Sequence, residues 1–193
     1  MAAGAGTRLG KGPKALLPYR GVTLVEHLAG VLLAGGCTDV IVVLGSEAET
    51  VRAGTLLPGC RTVVNPRWAT GLGSSLQCGV ATAAPLENVL VALVDQPGVN
   101  AELIRRLRKQ HQDGRITAAG YSDASGRLRR GHPVLFDADL AREAAAAASA
   151  DTGARSYLRA HSFLLDTIDC SDLGTGQDID TPADLPLLDQ SSR

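Results

Sequence analysis

Ala2-Ala3-Gly4-Ala5-Gly6-Thr7-Arg8-Leu9-Gly10-Lys11-Gly12-Pro13-Lys14 sets small residues beside the cations Arg8 and Lys14. Gly4, Gly6, Gly10 and Gly12 leave a backbone free to turn its N–H groups toward one point. Without Cβ atoms in the way, phosphate oxygens can approach those amides, and the two cations neutralise them. The run is neither of the two common phosphate loops. A P-loop needs four residues between its glycine and a Gly-Lys-Ser/Thr, whereas three separate Gly6 from Gly10. A dinucleotide fingerprint reads GxGxxG, and Gly4, Gly6 and Gly10 read GxGxxxG. Further along, Asp95 directly follows the apolar run Val89 to Val94. A carboxylate at the end of a buried strand faces the crevice where open parallel sheets bind ligands, and can hold a hard cation through oxygen. Asp178 and Asp180 alternate by two, so an extended chain points both the same way. Gly73-Ser74-Ser75 at a helix start offers amides and hydroxyls to a base or ribose, or serves as a plain cap.

The elements that must position these groups follow from periodicity. Val40 to Leu44 and Val89 to Val94 are fully apolar and rich in Val and Ile, the pattern of strands buried on both faces. Helical spacing runs from Leu24 to Leu33 and stops at Gly35-Gly36. Glu47 to Leu56 and Ser74 to Ala84 read as helices, and Asn100 can cap another over 101–112. Asp139 to Ala150 is alanine-rich and reads as a helix. Shorter strands are expected at Arg61 to Val64, Ile116 to Ala119, Pro133 to Phe136 and Phe163 to Ile168. Thr181-Pro182-Ala183-Asp184 has the cap, the proline and the acid of a helix start. Strands alternating with helices imply one α/β domain over residues 1–193, a three-layer, Rossmann-like sandwich around a mostly parallel central sheet.

Composition narrows the function classes. Net charge −1 and 3% aromatics argue against nucleic-acid binding, which needs a basic excess or stacking residues. No apolar run reaches the ~20 residues of a membrane span and no signal peptide is visible, so a cytoplasmic protein is expected. Cys37, Cys60, Cys78 and Cys170 have neither CxxC nor zinc spacing and read as small hydrophobes in a reducing compartment. There is no G-x-S-x-G elbow and no HExxH.

The N-terminal run resembles the signature loop of nucleotidyltransferases similar to the molybdenum-cofactor cytidylyl- and guanylyltransferases, the MobA-like NTP transferases, roughly AAGxGxRxGxPK. Further segments resemble the same family in order. They are Asn65-Pro66-Arg67-Trp68-Ala69-Thr70-Gly71-Leu72-Gly73-Ser74-Ser75-Leu76, Val94-Asp95-Gln96-Pro97, Gly131-His132-Pro133-Val134-Leu135-Phe136, Asp151-Thr152-Gly153-Ala154-Arg155 and Asp178-Ile179-Asp180-Thr181-Pro182-Ala183-Asp184. The loop carries one residue more than that pattern between Gly10 and Pro13. The chain also opens where such proteins have completed a first strand, so that strand is expected to be short or absent, or Met1 to be a misassigned start.

The resemblance implies a fold of the nucleotide-diphospho-sugar transferase type and a Mg²⁺-dependent enzyme. Arg8 and Lys14 would neutralise the triphosphate and departing pyrophosphate, within a nucleotide site of Ala2, Ala3, Gly4, Gly6, Arg8, Lys14, Gly73, Ser74 and Ser75. Asp95 with Asp180, or Asp178, would hold the metal. His132, read here as lying in a rigid turn, and Arg155 would face the acceptor. Ala-Ala-Gly accompanies the cytidylyl enzymes of the family, which implies CTP, a molybdopterin-type acceptor and a molybdenum hydroxylase as client. A sugar 1-phosphate acceptor, or a non-catalytic carrier of the finished cofactor, are the alternatives. Transfer to an acceptor phosphate that is already ionised needs no general base, which agrees with the absence of the hydrolase motifs.

Overall fold

The structure is a computed structural model that describes residues 1–7 and 9–189. A mixed sheet lies between two helical layers. The parallel pair β3 (Val40–Leu44) and β4 (Cys60–Val64) forms one part of it. The other part has the order β5-β7-β6-β8, with β5 at Val89–Val91, β6 at Ile116–Ser122, β7 at Leu128–Phe136 and β8 at Leu165–Asp169. Strand β7 is antiparallel to both neighbours, and β6 is parallel to β8. The expected parallel character therefore holds for every strand of this layer except β7. A small hairpin, β1 (Pro18–Tyr19) with β2 (Val22–Thr23), stands apart.

Residues 1–3 join the two parts. The Met1 amine donates to the Ala92 carbonyl at 2.6 Å, and the Val94 amide donates back to Met1 at 3.2 Å. On the other side the Ala2 amide donates to Val43 at 2.9 Å, and Ser46 donates to Ala3 at 3.0 Å. Residues 1–3 thus run through the centre of the sheet, and the extended chain past β5 pairs with them rather than with β7. Beyond Met1 the edges of β3 and β5 diverge around a cavity of about 450 Å³, lined by Ile41, Val43, Leu76, Val80, Leu90 and Val91 among others.

Alternation along the strands feeds both helical layers. Val91, Ala118 and Val134 pack against α3 (Leu72–Thr82), α5 (Ala138–Ala147) and α6 (Arg155–Ala160). Ala92, Ala119 and Tyr121 pack against α1 (Leu24–Ala34) and α4 (Ala101–Gln110). Helix α1 opens on a capping box between Thr23 and Glu26, and Asn100 caps α4 through the Leu103 amide. Helix α2 is only Ala48–Ala53. The expected helix after Thr181 is instead a 3-10 segment, Pro182–Leu188, with Pro186 inside it. A proline there removes the amide an α-helical bond would need. All four cysteines are free, and among the described residues no helix is long and apolar enough to cross a membrane.

Candidate active site

The phosphate-type loop leaves the sheet at Ala3, and Asp95 leaves it one strand over, so both open on the same carboxyl edge. Ala2 and Ala3 are buried in the sheet, and Gly4 is exposed at the loop's start. Gly6, Gly10 and Gly12 all have positive φ. At Gly6 the conformation is obligatory, because an added Cβ would stand 2.5 Å from the Gly12 carbonyl oxygen. The two sides of the loop touch there, and the turn at Gly10 to Gly12 takes up the additional residue. Arg8, expected to face the triphosphate, lies outside the described residues.

Lys14 begins the short 3-10 turn Lys14–Leu16 that closes the loop. Its Nζ donates to Asp95 Oδ2 at 2.9 Å and to Asp180 Oδ1 at 2.5 Å. Desolvation alone would depress this ammonium. The Asp180 hydrogen bond and the Asp95 charge together outweigh it, so Lys14 is held above its ordinary range and stays charged. Asp95 Oδ1 is buried with no hydrogen-bond partner. The Ile179 amide donates to the Asp95 carbonyl at 2.8 Å, which ties the C-terminal segment to the strand end.

Ile179 is fully buried, so Asp178 and Asp180 on either side both reach the crevice. Asp184 fixes this stretch by accepting from the amides of Asp180 at 3.1 Å and Thr181 at 2.8 Å. Asp178 Oδ1 accepts from Gln96 Nε2 at 2.7 Å. Desolvation pushes the Asp178 carboxyl up, and the charges of Asp95 and Asp180 add to it against the Gln96 hydrogen bond. Sequence reasoning gave Gln96 no role, although it sits next to Asp95 at a strand end. It is buried, and its Oε1 has no partner.

No group of three or more His, Cys, Asp or Glu is poised for a metal among the described residues. Two carboxylates bridged by an ammonium, one with an open buried oxygen, suit a hard cation that completes its shell with phosphate and water. The Lys14 ammonium stands where such a cation would neutralise both acids.

His132 lies inside β7 rather than in a turn. Gly120 pairs with Arg130 and Ala118 with Val134, so Gly131, His132 and Pro133 together oppose Ala119. This bulge includes the cis His132-Pro133 bond. Tyr121 Oη donates to the His132 carbonyl at 2.8 Å. Burial, then the Arg130 charge and the Met1 amine, push His132 down to about 4, with Asp95 opposing, so the ring is neutral at pH 7. Arg155, the first residue of α6, also bears on that imidazole.

The serines sit at a helix start, as expected. Helix α3 starts at Leu72 with Gly71 as its cap, so Ser74 and Ser75 lie inside the first turn. The buried Asn65 donates from Nδ2 to Ser74 Oγ at 2.8 Å and to Ser75 Oγ at 3.1 Å. Ser74 Oγ also lies 2.9 Å from the Arg67 and Gly71 carbonyls. These hydroxyls hold the 65–71 loop. A Cβ on Gly73 would meet the Ser149 backbone at 2.9 Å, so that glycine is a packing contact.

The chain is similar to known proteins over most of its length. Residues 1–164 match the family described as MobA-like NTP transferase domain. The chain is 52% identical over 183 residues to nicotine blue oxidoreductase of Paenarthrobacter nicotinovorans, covering 94% of this chain and 90% of that protein. Among solved structures, a nucleotidyl transferase from Methanothermobacter superposes with a TM-score of 0.79 at 25% identity, over 97% of this chain and 93% of that one. The manganese complex of Rv0371c from Mycobacterium tuberculosis gives 0.77 at 29% identity, over 98% and 95%.

Proposed function

Because the chain belongs to the MobA-like NTP transferase family, we propose that it is a divalent-metal-dependent nucleotidyltransferase that transfers CMP from CTP to a phosphate-bearing acceptor and releases pyrophosphate. The observation that carries this reading is the Lys14 ammonium between Asp95 and Asp180 at the foot of the glycine loop. The loop amides and Lys14 hold the β- and γ-phosphates. Asp95 and Asp180 would hold Mg²⁺ in place of the Lys14 ammonium, which then turns to the phosphates, and the metal would supply charge neutralisation at the α-phosphate and the departing pyrophosphate. The acceptor phosphate attacks from the side of His132, whose neutral ring adds no charge there. Catalysis consists of in-line placement and charge neutralisation. The acceptor we propose is the molybdenum–molybdopterin cofactor, with its cytosine dinucleotide as product. Ala3, with a methyl where a guanylyl-type loop has none, supports CTP over GTP by about 10- to 200-fold.

The test is pyrophosphate release with each NTP, with Mg²⁺ or Mn²⁺, with and without the molybdopterin acceptor. Release with CTP that depends on both metal and acceptor is expected. GTP equal to CTP removes the cytidylyl assignment, and no release with any NTP removes the transferase.

The 52% relative favours a second reading, reduction of nicotine blue or a kindred compound by an electron donor bound along the same loop. Oxidation of NADH or NADPH on adding nicotine blue, without pyrophosphate release, selects it.

A further inference from the structure

Asp178 and Asp180 flank the buried Ile179, a spacing at which two carboxylates on an extended chain can close on one cation. They are not used alike. Lys14 Nζ bonds to Asp95 and to Asp180 and leaves Asp178 aside. Among the described residues no three acids are poised together for a metal, so Asp178 stands off the Asp95–Asp180 pair. Gln96 holds it there. Its Nε2 donates to Asp178 Oδ1 at 2.7 Å and to the Gly176 carbonyl at 3.4 Å. A carboxylate and a carbonyl only accept, so the amide must turn its nitrogen toward them. The segment around these contacts is pinned on both sides. Asn100 Nδ2 donates to the Leu173 carbonyl at 2.7 Å, and the Ile179 amide donates to the Asp95 carbonyl at 2.8 Å. Gly176, at φ +66°, packs so closely on Tyr121 that an added Cβ would stand 2.3 Å from the ring. The orientation of Gln96 has a cost, because it leaves Oε1 buried without a partner. A methionine would fill the same space with no acceptor left unpaired, so packing alone does not account for a glutamine here.

We propose that Gln96 is a positioning residue: by occupying Asp178 Oδ1 it withholds that carboxylate from the cation and keeps the metal site at two protein carboxylates. This rests on the reading of Asp95 and Asp180 as the groups that hold the metal. A third carboxylate would bind a hard cation more tightly, and it would take a coordination position that a triphosphate oxygen needs. Gln96 thus lowers the affinity for free metal and leaves positions open to the nucleotide. A glutamine that only supported the fold would do neither.

The test titrates the full chain with Mn²⁺, without nucleotide, and reads free Mn²⁺ by electron paramagnetic resonance. The variants are Gln96→Met, Asp178→Asn and the two together. Asn keeps the oxygen that accepts from Gln96 and loses the charge that would hold a metal. Gln96→Met is expected to bind Mn²⁺ threefold or more tighter than the parent, and the double variant to return to within twofold of it. Asp178→Asn alone is expected to stay within twofold, and it decides the matter if the methionine variant does not fold. In pyrophosphate release the KM for CTP should rise fivefold or more in Gln96→Met and recover in the double variant. Mn²⁺ affinity unchanged or weakened in Gln96→Met, as a general loosening of the site would give, overturns the proposal. So does a tightening that persists in the double variant, or a loss beyond twofold in Asp178→Asn, which would make Asp178 a ligand in the parent. No Mn²⁺ bound by the parent or by any variant would instead remove Asp95 and Asp180 as the metal's holders, whereas Mn²⁺ bound alike by all removes only the role of Gln96.

Discussion

Lys14→Ala tests the central arrangement most directly. The Lys14 side chain is 15% exposed, Asp95 22% and Asp180 48%. Removing one partner of a fully buried pair costs about 3–5 kcal/mol, whereas exposed pairs contribute about 0–1. The Asp95 contact lies nearer the first limit, and solvent screens much of the Asp180 contact. The sum is about 2 kcal/mol, or roughly 4–8 °C in Tm for a chain of this size. The sign with pH is clear, because Lys14 is raised above its unfolded value: the stabilisation is complete below the unfolded pKa and is lost as pH rises through the folded one. The substitution also frees two carboxylates. Mn²⁺ should then bind the variant more tightly than the parent without nucleotide, and recover much of the lost Tm. Thermal melts with and without Mn²⁺, and Mn²⁺ titration by electron paramagnetic resonance, read both effects. A variant that melts with the parent and binds Mn²⁺ no better would refute the argument that Lys14 occupies the cation position.

Other substitutions separate chemistry from scaffold. Asp95→Asn keeps shape and removes charge, so turnover should fall by about two to four decades, about 3–5 kcal/mol of barrier, with circular dichroism unchanged; near-parental turnover at saturating NTP would remove Asp95 from the chemistry. Asn65→Ala should cost about 1–3 kcal/mol in urea unfolding, because it strips the two serines and the Arg67 amide of their partner. A loss below about 0.5 kcal/mol would show that this buried hub holds nothing. His132, at about 4 in the fold against 6.5 unfolded, lets the unfolded chain take up the proton first. Stability should therefore drop as pH falls from 6.5 toward 4, and His132→Gln should flatten that limb of the unfolding profile.

Local chemistry made part of this legible in the sequence. The runs at Val40 to Leu44 and Val89 to Val94 announced the central strands, and an acid directly after the second had to stand at the sheet's edge. The alternation of Asp178 and Asp180 around the apolar Ile179 was enough to put both acids on one side. Strand β7 was read too short because Leu128-Arg129-Arg130-Gly131 looks like a polar turn. Its pairing to β6 is a long-range event, and so is the antiparallel direction that follows. The engagement of Ser74 by the buried Asn65, nine residues away, is likewise set by packing and carries no local signal.

The central place of residues 1–3 has a practical side. A residue joined to Met1 would continue along their line into the cavity between β3 and β5. An affinity tag there is part of the sheet rather than an appendage. A linker whose last residues are bulky or charged would wedge the two sheet halves apart, whereas a few β-branched apolar residues would add rungs on both sides. Ala3 is three residues from that junction and the phosphate loop starts directly after it, so linker composition sets how firmly the loop is held at the rim. Two preparations that differ only in their tags can therefore differ in nucleotide affinity, with every residue from Met1 onward the same.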